Sequence, residues 1–458
     1  MKTQLLSFFT CAVFSASLSA QTWIQQGAGI VGSSLFIGDI SAVNDTVAWA
    51  IAGSYNGGMC ETPVTRFTRT SDGGAHWRSG SISAPSSYNT WNICAIDSLT
   101  AWVSTFDQFS LSNGRVYKTI NGGQTWIHQA TATFTSACKF VHFFNANEGV
   151  AVGQNEIFTT QNGGTNWVQQ TDLPVPFPAS THFIINSYEV LGNKIWLGDY
   201  AGVVYYSADK GQTWTVKSGQ SGGLGYTGIK ALAFKDSLNG IAISSVFQGG
   251  GSGGGAYTDN AMFYKTNDGG ATWTSAYYNS SQWTLANQYY AKYDVCYIPG
   301  TTNSYILSSE YAGFNKFSAI TSDGGQTWTY IDSTIAHTAL DFVSGGTGWS
   351  GSYINNVSDG IYKWGAATPT LVTSITDHQK QLNDQMKILY DQDAVFVSME
   401  KIQATALTIL NLEGKVIAVL NVDNAQKQRL DSESLARGAY ILEAKVGNTM
   451  LHKKFIIE

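Results

Sequence analysis

One eight-residue phrase returns six times along the chain: Thr70-Ser-Asp-Gly-Gly-Ala-His-Trp77, Thr119 to Trp126, Thr160 to Trp167, Ser207 to Trp214, Thr266 to Trp273 and Thr321 to Trp328. It reads Ser/Thr, any residue, Asp/Asn, Gly or Lys, Gly, any residue, usually Thr, then Trp. This is the wording of a tight turn entering a strand. The carboxylate or amide of Asp72, Asn121, Asn162, Asp209, Asp268 and Asp323 can accept backbone N–H groups across its own turn. The second glycine supplies a backbone conformation closed to most side chains. Trp77, Trp126, Trp167, Trp214, Trp273 and Trp328 then bury a large ring at the head of the next strand. The Trp recurs every 41 to 59 residues, which argues for a repeat architecture over the separate domains that 458 residues would otherwise suggest.

Upstream of each phrase lies a pair of β-rich runs joined by a turn, as in Ile40-Ser-Ala-Val-Asn-Asp-Thr-Val-Ala-Trp49 and Ile93-Cys-Ala-Ile-Asp-Ser-Leu-Thr-Ala-Trp102. A third run such as Arg115-Val-Tyr-Lys118 and a fourth beginning at the Trp complete one four-stranded propeller blade. Six phrases need not mean six blades. The segment from Leu340 to Trp349 repeats the first two strands, and Gly360-Ile-Tyr-Lys-Trp364 repeats the third with no phrase after it. At the other end, Gln21-Thr-Trp-Ile-Gln-Gln26 nearly copies Gln124-Thr-Trp-Ile-His-Gln129. The expectation is an all-β, seven-bladed β-propeller over 21–364 whose N-terminal strand completes the last blade and removes an exposed edge.

The six windows resemble the Asp-box of sialidases, sortilin-type receptors, some endoglucanases and photosystem assembly factors. The resemblance implies a structural hairpin. His76 and Asn166 stand where the Thr is usual, and Lys210 stands where a Gly is usual. Sialidases of this group hold a substrate carboxylate with three arginines from different blades. Here the only arginines between 21 and 364 are Arg66, Arg69, Arg78 and Arg115, all in the first two blades, so a sialidase is excluded.

Residues 1–20 carry one early Lys, an apolar run from Leu5 to Phe14 and small residues before Gln21, the pattern of a secretory signal peptide. No later stretch is long and apolar enough to span a bilayer. A net charge of -6 argues against nucleic acid as a partner. Cys60, Cys94, Cys138 and Cys296 follow the signal peptide; they can pair in three ways or stay buried as thiols. Neither Cys-x-x-Cys nor His-x-x-x-His occurs, so no metal and no cofactor are expected. After Trp364 the composition shifts: 365–383 read as a linker and 384–458 as a small Ig-like β-sandwich of short alternating strands. Asn411-Leu-Glu-Gly-Lys-Val416, Leu435-Ala-Arg-Gly-Ala-Tyr-Ile-Leu442 and the ending Lys453-Lys-Phe-Ile-Ile457 resemble the type A C-terminal sorting domain of the type IX secretion system in Bacteroidetes. That resemblance implies recognition by the secretion machinery and a secreted or cell-surface protein.

In a propeller blade the loops from strand two to three, and from strand four to the next blade, share one face. The longest irregular segments, 54–65, 104–114, 247–260 and 274–293, fall there, opposite the repeated turns. That face is aromatic: Tyr277, Tyr278, Trp283, Tyr289 and Tyr290 crowd one loop, and Trp91, Phe106, Tyr200 and Tyr311 lie in others. Such rings suit stacking on sugars or docking a protein, or they pack their own loops. Asp107, Asp199, Asp259 and Glu310 are the carboxylates there that a glycoside hydrolase would need. Gly198-Asp-Tyr-Ala-Gly202 and Ser309-Glu-Tyr-Ala-Gly313 look alike, and repetition at matching blade positions favours a structural turn. The leading expectation is therefore a monomeric, non-enzymatic module that binds glycan or a surface protein. The alternative is a polysaccharide hydrolase acting through Asp199 and Glu310.

Overall fold

The structure, a computed structural model, describes residues 21–32, 34–54, 62–154, 156–171, 173, 183–199, 202–218, 228–248, 258–276, 292–311 and 314–366 of one unit, and 386–391, 394–399, 404, 406–411, 415–420, 427–430, 435–446 and 449–457 of a second. Every regular element among them is a β-strand. The first unit is a β-propeller: seven antiparallel sheets follow one another in chain order, six of four strands and one enlarged to five by the short strand Tyr353–Ile354. Residues 1–20, expected to form a signal peptide, and Cys60 lie outside the described residues. Cys94, Cys138 and Cys296 are free thiols.

The ring closes as its end sequences imply. Gln21–Gly27 pairs antiparallel with Gly360–Ala366 as the outermost strand of the seventh blade, with Trp23 opposite Trp364. The last propeller strand therefore runs to Ala366, past the expected boundary at Trp364, because Gln21 and Thr22 offer backbone partners there. Trp23 packs edge-on against Trp364 at 5.0 Å and Phe342 at 6.0 Å. Its indole N–H donates to Ser318 Oγ of the sixth blade at 3.0 Å.

The repeated turns share one geometry. Thr70 Oγ1 donates to Asp72 Oδ1 and accepts the Gly74 N–H, each at 2.9 Å, while Asp72 Oδ1 accepts the His76 N–H at 2.9 Å. Thr266, Asp268, Gly270 and Thr272 repeat it bond for bond. Gly74 holds φ at +90° and Gly270 likewise, the left-handed region where a Cβ is strained. Lys210 adopts φ +63° in the fourth turn without being glycine. Hydrogen bonds from the His76 backbone and then its ring hold the Asp72 carboxyl at about 2, and Thr272 does the same for Asp268.

The innermost strand of each blade is a sheet edge whose outward N–H groups have no ladder partner. Side chains of the neighbouring blade meet them in two tiers. In one, Asp39 Oδ2 accepts the Ile93 N–H, Asn92 Oδ1 that of Val141 and Asp294 Oδ2 that of Leu340, each at 2.7 Å. In the other, Ser41 accepts from Ala95 (2.9 Å), Cys94 Sγ from Phe143 (3.2 Å), Glu189 from Phe234 (3.1 Å) and Asp341 from Ala42 (2.7 Å). Two joints lack these bonds among the described residues and are bridged by lysines. Lys210 pairs with Glu148 at 2.6 Å between the fourth and third blades, and Lys235 donates to Thr302 O at 3.3 Å between the fifth and sixth.

The second unit holds a three-stranded and a four-stranded sheet around a core of Leu407, Ile409, Leu430, Leu442 and Phe455. Alternation along Gly438–Val446 places Tyr440, Leu442 and Ala444 inward.

Two outcomes follow. Trp23→Ala removes a buried ring from the closing strand and is expected to cost about 3–5 kcal/mol in denaturant unfolding. Burial raises the Asp39 and Asp341 carboxyls to about 7 and Glu189 to about 8, against the weaker pull of their backbone donors. Their protonated forms favour the fold below the ordinary carboxylate pKa, near 4, and that contribution is lost as pH rises through 7 to 8. The melting midpoint should therefore fall between pH 5 and pH 9, and Asp39→Asn should flatten the fall.

Candidate functional site

Innermost strands run from the loop face toward the turns, so Trp91, Asn92 and Cys94 mark successive depths along the central channel. At the depth of Asn92 the channel is crossed by a polar septum. Tyr188, from the fourth blade, donates its hydroxyl to Asp39 Oδ1 at 3.3 Å and accepts Asn92 Nδ2 at 3.1 Å. Asn92 Nδ2 also donates to Asp39 Oδ2 at 2.8 Å. On the turn side of the septum lies a cavity of about 280 Å³ lined by Cys94, His142, Tyr188, Glu189 and Asp341 among others. Burial depresses the His142 imidazole to about 4 and pushes the Cys94 thiol up to about 12. Although Cys94 Sγ lies 3.8 Å from His142 Nδ1, neither group is in the charge state a thiolate nucleophile requires. No group of three or more His, Cys, Asp or Glu able to hold a metal occurs among the described residues.

On the loop face the candidate carboxylates serve their own turns. Asp199 is fully buried; its Oδ1 accepts the Val203 N–H at 2.8 Å and its Oδ2 the Tyr205 hydroxyl at 3.1 Å. Asp107 closes the turn after the second strand of its blade, accepting from Ser87 Oγ (2.6 Å) and from the N–H groups of Phe109 (3.0 Å) and Ser110 (3.1 Å). The Ser87 bond foremost holds its pKa below the ordinary range. Glu156, which sequence reading passed over, takes both the N–H and the hydroxyl of Thr135 and Ser136. Burial opposes its ionisation, yet those bonds together keep its pKa low. Asp332 likewise is bonded to His337 at 3.0 Å. Asp259 and Glu310 lie on strands Thr258–Thr266 and Tyr305–Tyr311, opposite Phe247 and Lys292. The backbone of Tyr311 pairs with Phe314; the side chains of these three residues, and all of Tyr200, Tyr277, Tyr278, Trp283, Tyr289 and Tyr290, lie outside the described residues.

Two of the expected aromatic residues come together. Trp91, half-buried in a bulge of its strand, meets Phe106 edge-on at 5.1 Å. Phe106 is itself buried and buttresses the indole from below. Sequence reading missed the third member: Lys139 Nζ sits 4.6 Å from the centre of the Trp91 ring. Its signal was positional, since Lys139 precedes Phe140–Phe143 as Trp91 precedes Asn92. Phe109 and Leu111 project from the neighbouring hairpin, 75% and 58% exposed.

Residues 391–458 match the family described as a secretion system C-terminal sorting domain. The tail is a sorting domain. It marks the protein for type IX secretion and the cell surface. No curated protein sequence matches the chain. Among solved structures, the chain is similar to YCF48 from Cyanidioschyzon merolae, at 15% identity and TM-score 0.49, over 75% of this chain and 98% of that one. It is also similar to a GH74 xyloglucanase from Xanthomonas campestris, at 11% identity and TM-score 0.49, over 94% and 68% of the two chains. The extracellular domain of a one component system from B. thetaiotaomicron follows at 12% identity and TM-score 0.46, over 95% and 59%.

Asp199→Ala would leave the Val203 N–H and the Tyr205 hydroxyl without their buried acceptor. An unfolding free energy lower by about 1–3 kcal/mol in urea titration is expected.

Proposed function

We propose that the exported propeller is a non-enzymatic binding module that takes a glycan, or a protein of the cell surface, on its loop face. The observation that carries this reading is the employment of the described loop-face carboxylates. A glycosidase needs two carboxyl groups facing each other across a cleft, one of them with a raised pKa. Hydrogen bonds lower the pKa of Asp107 and Glu156 within their own blades and of Asp332 through His337 of the next, and Asp199 is sealed beneath its turn. Beside them stand two aromatic rings that reach solvent, the half-exposed Trp91 and the exposed Phe109. A rigid ring that fixes such groups while its turns consume the acids is suited to holding a ligand without cleaving it.

The test is the mature protein on a glycan array and a panel of soluble polysaccharides, with product analysis by chromatography. Saturable binding without product, lost in Trp91→Ala, is the expected outcome. Product formation abolished by Glu310→Gln or Asp199→Asn would instead establish a hydrolase.

A further inference from the structure

The loop-face end of the channel holds an ionic group with no hydrogen-bond acceptor among the described residues. Lys139 is partly buried, its ammonium lies over the Trp91 indole, and no carboxylate or carbonyl bonds it among the described residues. Three cations at blade joints have acceptors instead: Arg69 donates to Gly122 O at 2.9 Å, Lys118 to Gly163 O at 2.8 Å and Lys363 to Gly73 O at 2.7 Å. Burial lowers its pKa to about 8, with no compensating neighbour. The loop-face acid of its own blade, Glu156, is already consumed by Thr135 and Ser136. A desolvated ammonium without a counter-charge is costly, and the indole face offsets only part of that cost. The remainder is recovered when an anion arrives.

We propose that Lys139, held against Trp91, anchors an anionic group of the ligand, so that the glycans taken by this face are acidic ones bearing carboxylate or sulfate. This rests on the reading that the loop face binds glycan. The site is asymmetric: the described carboxylates around it are occupied and the ammonium is vacant, which favours acidic chains over neutral ones and disfavours cations. Trp91 and its buttress Phe106 fix the ammonium at the ligand side of the septum. Phe106 is thus a positioning residue.

The experiment uses the mature full chain in isothermal titration against polygalacturonate, its fully methyl-esterified form, dextran sulfate, unmodified dextran and polyglutamate. Stronger binding of the acidic polysaccharides than of their neutral counterparts is expected. Lys139→Gln should weaken the acidic ligands about tenfold with an unchanged melting midpoint, and Lys139→Arg should retain them. Binding of polygalacturonate alone would assign the site to carboxylates, and of dextran sulfate alone to sulfates; either supports the proposal. Equal affinity for charged and neutral chains, or no effect of Lys139→Gln while Trp91→Ala abolishes binding, would overturn it and leave loop-face glycan binding standing. Failure of every polysaccharide would overturn both readings, and Lys139-dependent binding of polyglutamate alone would replace the glycan by an acidic protein.

Discussion

The inner edge of each blade governs this propeller. A four-stranded sheet standing radially in a ring must present its first strand to a narrow channel, where another strand cannot pair with it and bulk water is scarce. Its outward N–H groups need acceptors, and the nearest source is the adjoining blade. Asp39, Ser41, Asn92, Cys94, Glu189, Asp294 and Asp341 supply them. The same bonds that satisfy the edge join the blades, so neutralising an edge and assembling a ring are one event. At the two joints where no such acceptor occurs among the described residues, lysines bridge the blades.

Carboxyl groups are shifted in opposite directions in two settings of the same fold, toward the neutral acid in the channel and toward the anion in the turns. In the channel, burial outweighs their donors and raises the pKa of Asp39, Asp341 and Glu189. In the surface turns, two or three donors converge on an exposed oxygen, and Asp72 and Asp268 are driven down. Among the described residues, neither setting leaves a carboxyl poised in an open cleft. That division of labour turns attention from acid–base chemistry to recognition, and from the carboxylates to Lys139, whose charge the structure does not answer.

Much of the ring was legible because it is written in local chemistry. A Thr-x-Asp-x-Gly turn needs only its own residues to close, and the near-copy of Gln124–Gln129 at Gln21 disclosed the closing strand. The candidate site was less legible. Asp199 looks the same in sequence whether it faces a ligand or caps Val203, and only its burial separates the two. Phe106 was grouped with exposed rings, yet a strand residue's exposure depends on which neighbour covers it. Asn92 and Tyr188 meet across 96 positions, a distance at which no local pattern speaks.

The sequence by itself determined the repeat, the number of strands available and the export tail, since turn chemistry, alternation and a sorting motif are short-range properties. The tertiary structure decided which polar side chains bind the blades together, which of the described acids are spent, and that Lys139 lies over Trp91 without an acceptor. Those outcomes depend on desolvation and on partners brought from other blades, and neither exists until the ring is closed.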